Sequence, residues 1–270
     1  MLQSNPTSFM TSNQQRKIGL ALSGAAVRGF VHIGILQAFE EEGIKPDFLG
    51  GSSAGALIAY LYAAGLSTAQ MLEISTKISW FSMVRPIFSS KGLVSFQPLE
   101  KLLIDMLGNL HFEDLTTPLI VSATDLEKGK PVLFSQGPVA PAIHASCAIP
   151  GLVRPVSYDG YAKLVDGGVT NNTPSEAVRS LGADYVIAAD VFEPHRRRFA
   201  GPLGVGINAV EIMVRNSNQG PSAADCLIAP DLHDVSFNRF GQKQRMIDLG
   251  QKEAEKHIET IQSILSLQTA

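Results

Sequence analysis

The sequence predicts an α/β protein whose central sheet is mainly parallel. An apolar run of strand length covers Ile18–Leu22, and a second apolar run ends at Leu49. Between them, large apolar residues recur at helical spacing from Phe30 to Phe39, and the small residues at 54–64 predict a second helix. This strand, helix, strand, helix order implies parallel strands joined by helical crossovers.

The remaining elements follow from shorter apolar runs and from the residues that begin and end helices. Ser67 and Thr68 begin one helix, Ser95 precedes another, and Gly108 and Gly182 each follow a predicted last turn. Apolar runs bounded by turn residues indicate buried strands. Further strands are predicted at 119–123, 131–134, 161–165, 185–189 and 226–228. Further helices are predicted at 67–77, 96–107, 139–148, 174–181, 205–214 and 246–267.

Length, composition and charge are those of an ordinary globular protein. The chain has 270 residues, of which 45% are hydrophobic and 17% charged. Its formal net charge of −3 gives no positive field for a polyanion, so we expect no nucleic-acid partner. No internal repeat or linker divides the chain. This favours a single domain at 17–270, preceded by a flexible polar tail at 1–16.

The cysteines and the hydropathy pattern predict a cytoplasmic protein. Cys147 and Cys226 form neither a metal-ligand spacing nor a disulfide framework, which is typical of a reducing compartment. The polar tail has no apolar core for a signal peptide. No apolar run reaches the roughly 20 residues that a membrane span needs.

The strongest chemical signal is a glycine-flanked serine between the second strand and its helix. The pattern Gly51-x-Ser53-x-Gly55 in this context is typical of a nucleophile elbow. A serine raised on such a sharp turn needs close neighbours without bulk. The helix that follows, starting at Ala54, directs its N–H groups at the reacting centre. A glycine-rich turn without chemistry is the alternative interpretation.

A second glycine-containing loop, Ser23 to Gly29, lies between the first strand and its helix. Its amides are expected at the carboxyl edge of the sheet, facing the elbow, where they could bind an oxyanion. The alternative is a phosphate-binding loop. The dinucleotide pattern has a glycine where this chain has Ala26, and the P-loop lysine is absent, so nucleotide binding is disfavoured.

The general base has two candidates. Asp166 ends an apolar strand and precedes Gly167 and Gly168, at the kind of position where sheet proteins place their sites. Because Asp-Gly is also a common turn pair, a purely structural role is an equal alternative. Among the histidines, His233 lies in a polar loop and remains a candidate, whereas His195 precedes three arginines and is expected at the surface.

Together these segments resemble the patatin-like phospholipases, particularly the small bacterial members. Four blocks carry the resemblance, in the family's order, and the match spans roughly 17–191. They are the loop and helix from Ser23 through His32 to Leu36, the elbow from Gly51 to Ala56, the block Ala145 to Gly151, and the block Asp166 to Pro174. The resemblance implies a three-layer α/β/α sandwich and hydrolysis of lipid acyl esters without a metal or other cofactor.

By this resemblance, Ser53 is the nucleophile and Asp166 its partner in a Ser–Asp dyad without histidine. The oxyanion hole is assigned to backbone amides of the first loop, and further residues shape or support the site. The oxyanion residues are Gly24, Ala25 and Ala26, and the supporting residues are Arg28, Gly29, Gly51, Ala54, Gly55, Gly167 and Gly168. Asn171 and Asn172 are interpreted as turn formers. Arg28 steadies the loop, meets a phosphate head group, or is a surface residue at the helix start.

The chain departs from the family pattern at Ala25 and Ala26, where the family loop normally carries glycines. Backbone donors survive such a change where φ is negative. Where φ is positive, each alanine costs roughly 1 kcal/mol or more.

We therefore expect a phospholipase A or lysophospholipase-type hydrolase acting on a lipid or lysolipid ester. Two alternatives stay open: a histidine-assisted carboxylesterase using His233, and a catalytically impaired lipid-binding or regulatory protein. Residues 80–88, which include Trp80, Phe81 and Phe88 with Arg85 among them, have an interfacial composition. They are predicted to form part of a lipid entrance in peripheral contact with the inner membrane surface, with an ordinary packed connection as the alternative.

Overall fold

The fold is described from a computed structural model covering residues 16–77, 80–192, 201–217, 220–235 and 240–266. The predicted tail at 1–16 lies almost wholly outside the described residues, as does His195.

Ten strands and ten α-helices are present in the described part of the chain. The strands are β1 (Ile18–Leu22), β2 (Phe48–Ser52), β3 (Arg85–Pro86), β4 (Val94–Ser95), β5 (Leu119–Asp125), β6 (Lys130–Phe134), β7 (Val156–Tyr158), β8 (Tyr161–Asp166), β9 (Tyr185–Ala189) and β10 (Cys226–Ile228). The helices are α1 (Phe30–Glu41), α2 (Ala54–Ala63), α3 (Thr68–Lys77), α4 (Trp80–Met83), α5 (Gln97–Leu107), α6 (Val139–Ser146), α7 (Ser175–Ser180), α8 (Gly201–Asn216), α9 (Lys243–Glu255) and α10 (Ile258–Ser266).

The sheet has the order β10-β9-β1-β2-β5-β8-β7, and β6 pairs with β5 outside this path. The pairs from β10 to β5 are parallel, whereas β6, β8 and β7 join antiparallel. On one face, Val178 of α7 packs with Ala21 and Ile120. On the other, Leu20 and Leu22 belong to the larger core with helices α1, α2, α6 and α9. The predicted α/β fold with helices flanking a mostly parallel sheet is confirmed.

Strands β2 and β8 meet end to end along the same side of β5. Ser52, the last residue of β2, pairs with Ser122, and Asp166, the last residue of β8, pairs with the next residue, Ala123. Since β6 pairs with the opposite side of β5 at both places, β8 takes over the side that β2 leaves. The carboxyl ends of two oppositely directed strands therefore converge on one point of the sheet.

The structure corrects two sequence predictions of secondary structure. The single helix predicted at 246–267 is two helices, because the chain tightens to i→i+3 bonds, with the N–H of His257 donating to Ala254 O, before α10 begins. Helix α8 is longer at both ends than the predicted 205–214. No helix of the described part is long and apolar enough to cross a membrane.

The two alanines of the first loop differ sharply in backbone conformation. Ala25 has φ −163°, which is extended backbone open to any residue, whereas Ala26 has φ +48°, in the left-handed region. An alanine there costs roughly 1 kcal/mol relative to glycine, because its Cβ approaches the neighbouring carbonyl. The loop therefore contains one strained alanine rather than two.

Replacing each alanine separately by glycine should distinguish the two positions. Ala26→Gly relieves the left-handed strain but frees the unfolded chain, so its free energy of unfolding should change by less than about 0.5 kcal/mol. Ala25→Gly relieves nothing and removes a buried methyl group, so it should destabilise the protein by about 1–2 kcal/mol. Urea unfolding of both variants measures the difference, and equal losses would contradict the assigned conformations.

Candidate active site

Ser53 lies on a strained turn between β2 and α2. Its φ of +51° and ψ of −123° place a non-glycine residue in a conformation that only the surrounding structure can maintain. The neighbouring glycines are required by close packing. A Cβ on Gly55 would lie 2.3 Å from Leu22 O, and one on Gly51 would lie 2.5 Å from Ala56 N. The predicted elbow geometry is therefore present, with the backbone turning too tightly for side chains at either glycine.

A buried serine of α6 is hydrogen-bonded to the backbone of the elbow. The N–H of Ser53 donates to Ser146 Oγ at 2.8 Å, and Ser146 Oγ donates to Ser122 O at 2.7 Å. Ser146 is fully buried. Sequence analysis did not single out its side chain, and the resemblance of the block around it was the only available signal.

Asp166 is 7% exposed, and it lines the same small cavity as Ser53. Asp166 Oδ1 accepts the Gly168 N–H at 2.8 Å. Burial raises the pKa of Asp166 to about 6, although the nearby Ser53 side chain and the N–H of Gly168 oppose the shift. A Cβ on Gly167 would lie 2.2 Å from Ser122 O, so only glycine lets β8 end this close to β5.

Cys147 is a third side chain at this pair, and sequence analysis assigned it no role in the site. It is buried and lines the apolar cavity together with Ser53. Burial raises the pKa of its thiol, the nearby Asp166 charge raises it further, and the contact with Ser53 acts in the opposite direction. The thiol therefore stays protonated at neutral pH and adds no charge beside the carboxylate.

The first loop corrects one predicted oxyanion donor. The N–H of Gly24 already donates to Asn172, to Oδ1 at 3.1 Å and to the backbone oxygen at 3.3 Å, so it is not available for an oxyanion. Asn172 Nδ2 in turn donates to Gly24 O at 3.3 Å. The N–H groups of Ala25 and Ala26 have no hydrogen-bond acceptor among the described residues. Asn172, predicted as a turn former, thus fixes the loop through its side chain.

Two further side chains fix the loop from other directions. Arg28 is 3% exposed and donates to Leu232 O at 3.3 Å and Val235 O at 2.9 Å, so the surface interpretation of this arginine is wrong. His32 is fully buried, and its Nε2 donates to Ser23 O at 2.8 Å. Burial lowers the pKa of His32 to about 4, against the effect of that hydrogen bond, so the imidazole is neutral.

The remaining predicted support residues are in contact with this centre. A Cβ on Gly29 would lie 2.8 Å from Ala54 Cβ, at the start of α2. A Cβ on Gly168 would lie 2.9 Å from Asn172 Oδ1. The structure therefore brings all twelve predicted site residues together around the elbow and the first loop.

Two cavities meet at Ser53. The first has a volume of about 140 Å³ and apolar walls from α1, α2, α3 and α5, where Ile33, Leu57, Met71 and Leu99 are lining residues. The second, of about 70 Å³, lies between the first loop, Asp166, Asn172 and the inner side of α8. Ser53, Ala26 and Ile149 line both. The serine thus lies between an apolar chamber and a smaller, more polar one.

The histidine alternative lacks structural support. His233 is half-exposed, and its Nδ1 lies 2.9 Å from Asp231 Oδ1. Among the described residues, no histidine lines either of the two cavities at Ser53. His144 and His257 instead contact Glu100 and Cys226, at 2.7 Å and 3.5 Å.

The predicted lipid entrance is described only in part. The side chains of Trp80 and Phe81 lie outside the description. Met83 lines the apolar cavity, and Phe88 is fully exposed. The alternative of an ordinary packed connection does not fit Phe88.

The chain resembles known proteins in sequence and in structure. The family model for patatin-like phospholipase matches residues 20–179. An uncharacterized NTE family protein of Mycobacterium tuberculosis is 34% identical over 177 residues, covering 65% of this chain and 49% of the relative. Neuropathy target esterase sws of Drosophila melanogaster is 32% identical over 191 residues, covering 68% and 13%. Lysophospholipase nte1 of Aspergillus fumigatus is 29% identical over 182 residues, covering 65% and 12%.

The chain therefore spans about half the length of the mycobacterial relative and about an eighth of the other two.

Among solved structures, VipD from Legionella pneumophila aligns with a TM-score of 0.59 at 16% identity, covering 92% of this chain and 67% of that one. Human GIVD cytosolic phospholipase A2, in complex with methyl gamma-linolenyl fluorophosphonate, aligns with a TM-score of 0.55 at 12% identity, covering 95% and 60%. At such identities the two structures show a shared fold. The family match over residues 20–179 shows more: the chain belongs to the patatin-like phospholipase family, a family of lipid hydrolases.

Proposed function

We propose that this protein is a serine lipid acyl hydrolase of the phospholipase A or lysophospholipase type. Ser53 is the nucleophile and Asp166 the general base. One observation carries the proposal: Ser53, on its strained elbow, lines the same small cavity as a buried carboxylate whose pKa is raised to about 6. A base is most effective when its pKa lies near the working pH, and an ordinary aspartate is too acidic.

The proposed reaction proceeds through an acyl-enzyme. Ser53 Oγ attacks the ester carbonyl carbon while Asp166 takes the hydroxyl proton, and the carbonyl oxygen becomes an oxyanion. Collapse of this tetrahedral intermediate breaks the ester C–O bond, and Asp166 returns the proton to the leaving alcohol. Water, deprotonated by Asp166, then attacks the acyl-serine, and the fatty acid leaves as Ser53 regains its proton.

The oxyanion is assigned to the N–H groups of Ala25 and Ala26, with the first amide of α2, at Ala54, as a further donor. Support comes from the absence of hydrogen-bond acceptors for Ala25 and Ala26 in the described part of the chain. It also comes from the rigid attachment of the loop through Asn172. Preorganised backbone donors of this kind typically contribute two to three orders of magnitude in rate each.

The apolar cavity is assigned to the acyl chain. Its walls are almost entirely apolar, as in sites that bury a hydrocarbon ligand, and it opens beside Ser53. The substrate is accordingly a lipid or lysolipid ester. We further propose that the enzyme is a single domain at 17–270 and has no nucleic-acid partner. We place it in the cytoplasm, in peripheral contact with the inner membrane surface near residues 80–88. Its relatives include one named lysophospholipase and one named esterase.

Removing either member of the pair should abolish turnover of a soluble nitrophenyl ester. Ser53→Ala deletes the attacking oxygen and Asp166→Asn deletes the proton acceptor. Because the two groups act together, removing either one also removes the contribution of the other. Each variant should therefore lose at least 10³-fold in kcat, in line with other serine nucleophile systems. A fluorophosphonate probe should label Ser53 in the wild type.

His233→Ala is the matched control and should retain most activity. Loss of turnover in a folded His233→Ala protein would replace the dyad with a histidine-assisted esterase. Labelling at Ser52 would overturn the choice of nucleophile. A wild type that binds lipid but turns over no ester would favour the impaired, regulatory protein.

The raised pKa of Asp166 predicts opposite pH effects on activity and on stability. Below about pH 6 the carboxylate is protonated and cannot act as a base, so turnover should fall about tenfold per pH unit. In the folded state the buried charge is unfavourable, so its cost to stability grows as pH rises from about 3.8 to 6 and is constant above. Asp166→Asn should therefore be more stable than wild type at pH 8, by up to roughly 3 kcal/mol, and this gain should vanish near pH 4.

Thermal melts and urea unfolding across pH 4–8 measure the second effect without substrate. A stability difference that is independent of pH would show that Asp166 has an ordinary pKa.

The mechanism requires no metal. In the part of the chain that the structure describes, no three His, Cys, Asp or Glu side chains are grouped so that they could hold an ion. Turnover of a soluble ester should persist in excess chelator. Activity lost with chelator and restored by calcium would refute metal independence, whereas a loss confined to vesicle substrates would implicate the membrane surface.

A further inference from the structure

An exposed hairpin projects from the wall of the apolar cavity. Strands β3 and β4 pair antiparallel, Arg85 with Ser95 and Pro86 with Val94. At their tip Phe88 is fully exposed, and Leu93 is 51% exposed. A large aromatic side chain in full contact with water gains no free energy from burial, and with Leu93 it gives the hairpin an exposed apolar end.

The hairpin begins and ends at the apolar cavity. Met83, two residues before β3, and Phe96, the residue after β4, both line the cavity beside Ser53. Both ends of the hairpin are therefore attached to the wall of the apolar cavity that also contains Ser53. This continuity distinguishes Phe88 from exposed apolar residues elsewhere, such as Leu227 on the edge strand β10.

A separate, cationic cavity includes Lys91 from the turn of the same hairpin. Its volume is about 770 Å³, and Lys91, Arg154 and Lys163 line it, beside Gln97 and Glu100 of α5. Lys163 pairs with Glu127. Within the described part of the chain, the side-chain charges of Lys91 and Arg154 have no hydrogen-bond or ion-pair partner.

Backbone pairing holds the segments that carry these two cations next to each other. The N–H groups of Leu93 and Val94 donate to Leu152 O, and the Arg154 N–H donates to Val94 O at 2.9 Å. A Cβ on Gly92 would lie 2.4 Å from Arg154 N, so the two segments are in direct contact. Lys91 and Arg154 therefore extend from adjacent segments into the lining of one cavity, and Lys91 follows Phe88 by three residues.

We propose that this hairpin docks on an anionic lipid bilayer, with Phe88 in the interfacial region and a lipid phosphate between Lys91 and Arg154. The proposal rests on the proposed function, since it names how the enzyme meets its substrate. Unpaired cations beside an exposed aromatic residue match a bilayer, which offers negative head groups next to a hydrocarbon phase. A protein partner would have to supply both features in one patch, and nothing in the structure favours that arrangement.

Vesicle co-sedimentation tests the docking independently of catalysis. The Ser53→Ala protein is used so that no lipid is hydrolysed, with vesicles of phosphatidylcholine alone or with 30% phosphatidylglycerol. Binding should be at least tenfold tighter to the anionic vesicles. Phe88→Ser should weaken binding to the anionic vesicles by about tenfold. The double variant Lys91→Gln with Arg154→Gln should weaken it by about 30-fold, because each charge near a bilayer surface contributes about fivefold.

Matched control variants are Leu227→Ser, which removes an exposed apolar side chain at the far edge of the sheet, and Lys252→Gln on α9. Both should bind anionic vesicles like the parent protein, and thermal melts confirm that every variant is folded. Equal losses in the controls would show a nonspecific effect and overturn the assigned surface.

A tryptophan at the tip gives a direct readout. In a Trp80→Phe background, Phe88→Trp should emit at long wavelength in buffer and shift to the blue with anionic vesicles but not with neutral ones. Three results would each overturn the proposal. The emission does not shift with anionic vesicles, free glycerol phosphate binds to the protein while vesicles do not, or the protein dimerises with rising concentration and Phe88→Ser abolishes the dimer. Ester turnover by the wild type is measured separately, so a failed hydrolase proposal and a failed docking proposal give different results.

Discussion

The site depends on the way in which β5 is shared by two strands. Along one side of β5, Ser52 pairs with Ser122 and Asp166 pairs with Ala123, so the strand that carries the nucleophile ends where the strand that carries the carboxylate ends. The carbonyl of Ser122 also accepts the hydroxyl of Ser146, which holds the N–H of Ser53. Two adjacent residues of one buried strand thus set the positions of both members of the pair, and backbone pairing is among the stiffest constraints a fold can apply.

This arrangement places two unfavourable features at the same point. Ser53 has a strained backbone, and Asp166 keeps a carboxylate where burial disfavours its charge. The N–H of Gly168 and the nearby Ser53 side chain limit the second cost without removing it, which leaves the pKa near 6 rather than at its ordinary value. A fully solvated aspartate at this position would be too weak a base, and a fully unsatisfied one would stay protonated at neutral pH. The geometry of the strand ends therefore sets the chemistry available to the pair.

The sequence was sufficient to predict the sheet, most helices and the elbow, because hydrophobic periodicity and helix boundaries are local. It predicted Asp166 from its position at the end of a strand, yet that strand runs antiparallel to the one carrying Ser53, so the two ends meet head-on rather than sharing a parallel edge. Such an encounter depends on register, which is not local. For the same reason the roles of Ser146 and Asn172 could not be predicted: their partners are 93 and 148 residues away in the chain.

The altered first loop shows how the surrounding structure can replace glycine. Glycine suits an oxyanion loop because it adopts positive φ without cost, but freedom alone does not direct an amide. Here three side chains fix the loop. Asn172 binds Gly24 and His32 of α1 binds Ser23, whereas Arg28, within the loop itself, donates to the segment at 232–235. Against these contacts, the roughly 1 kcal/mol of strain at Ala26 is small. The Cβ of Ala26 also reduces the number of conformations open to the loop. The amides of Ala25 and Ala26 are therefore held more rigidly than the amides of two glycines would be.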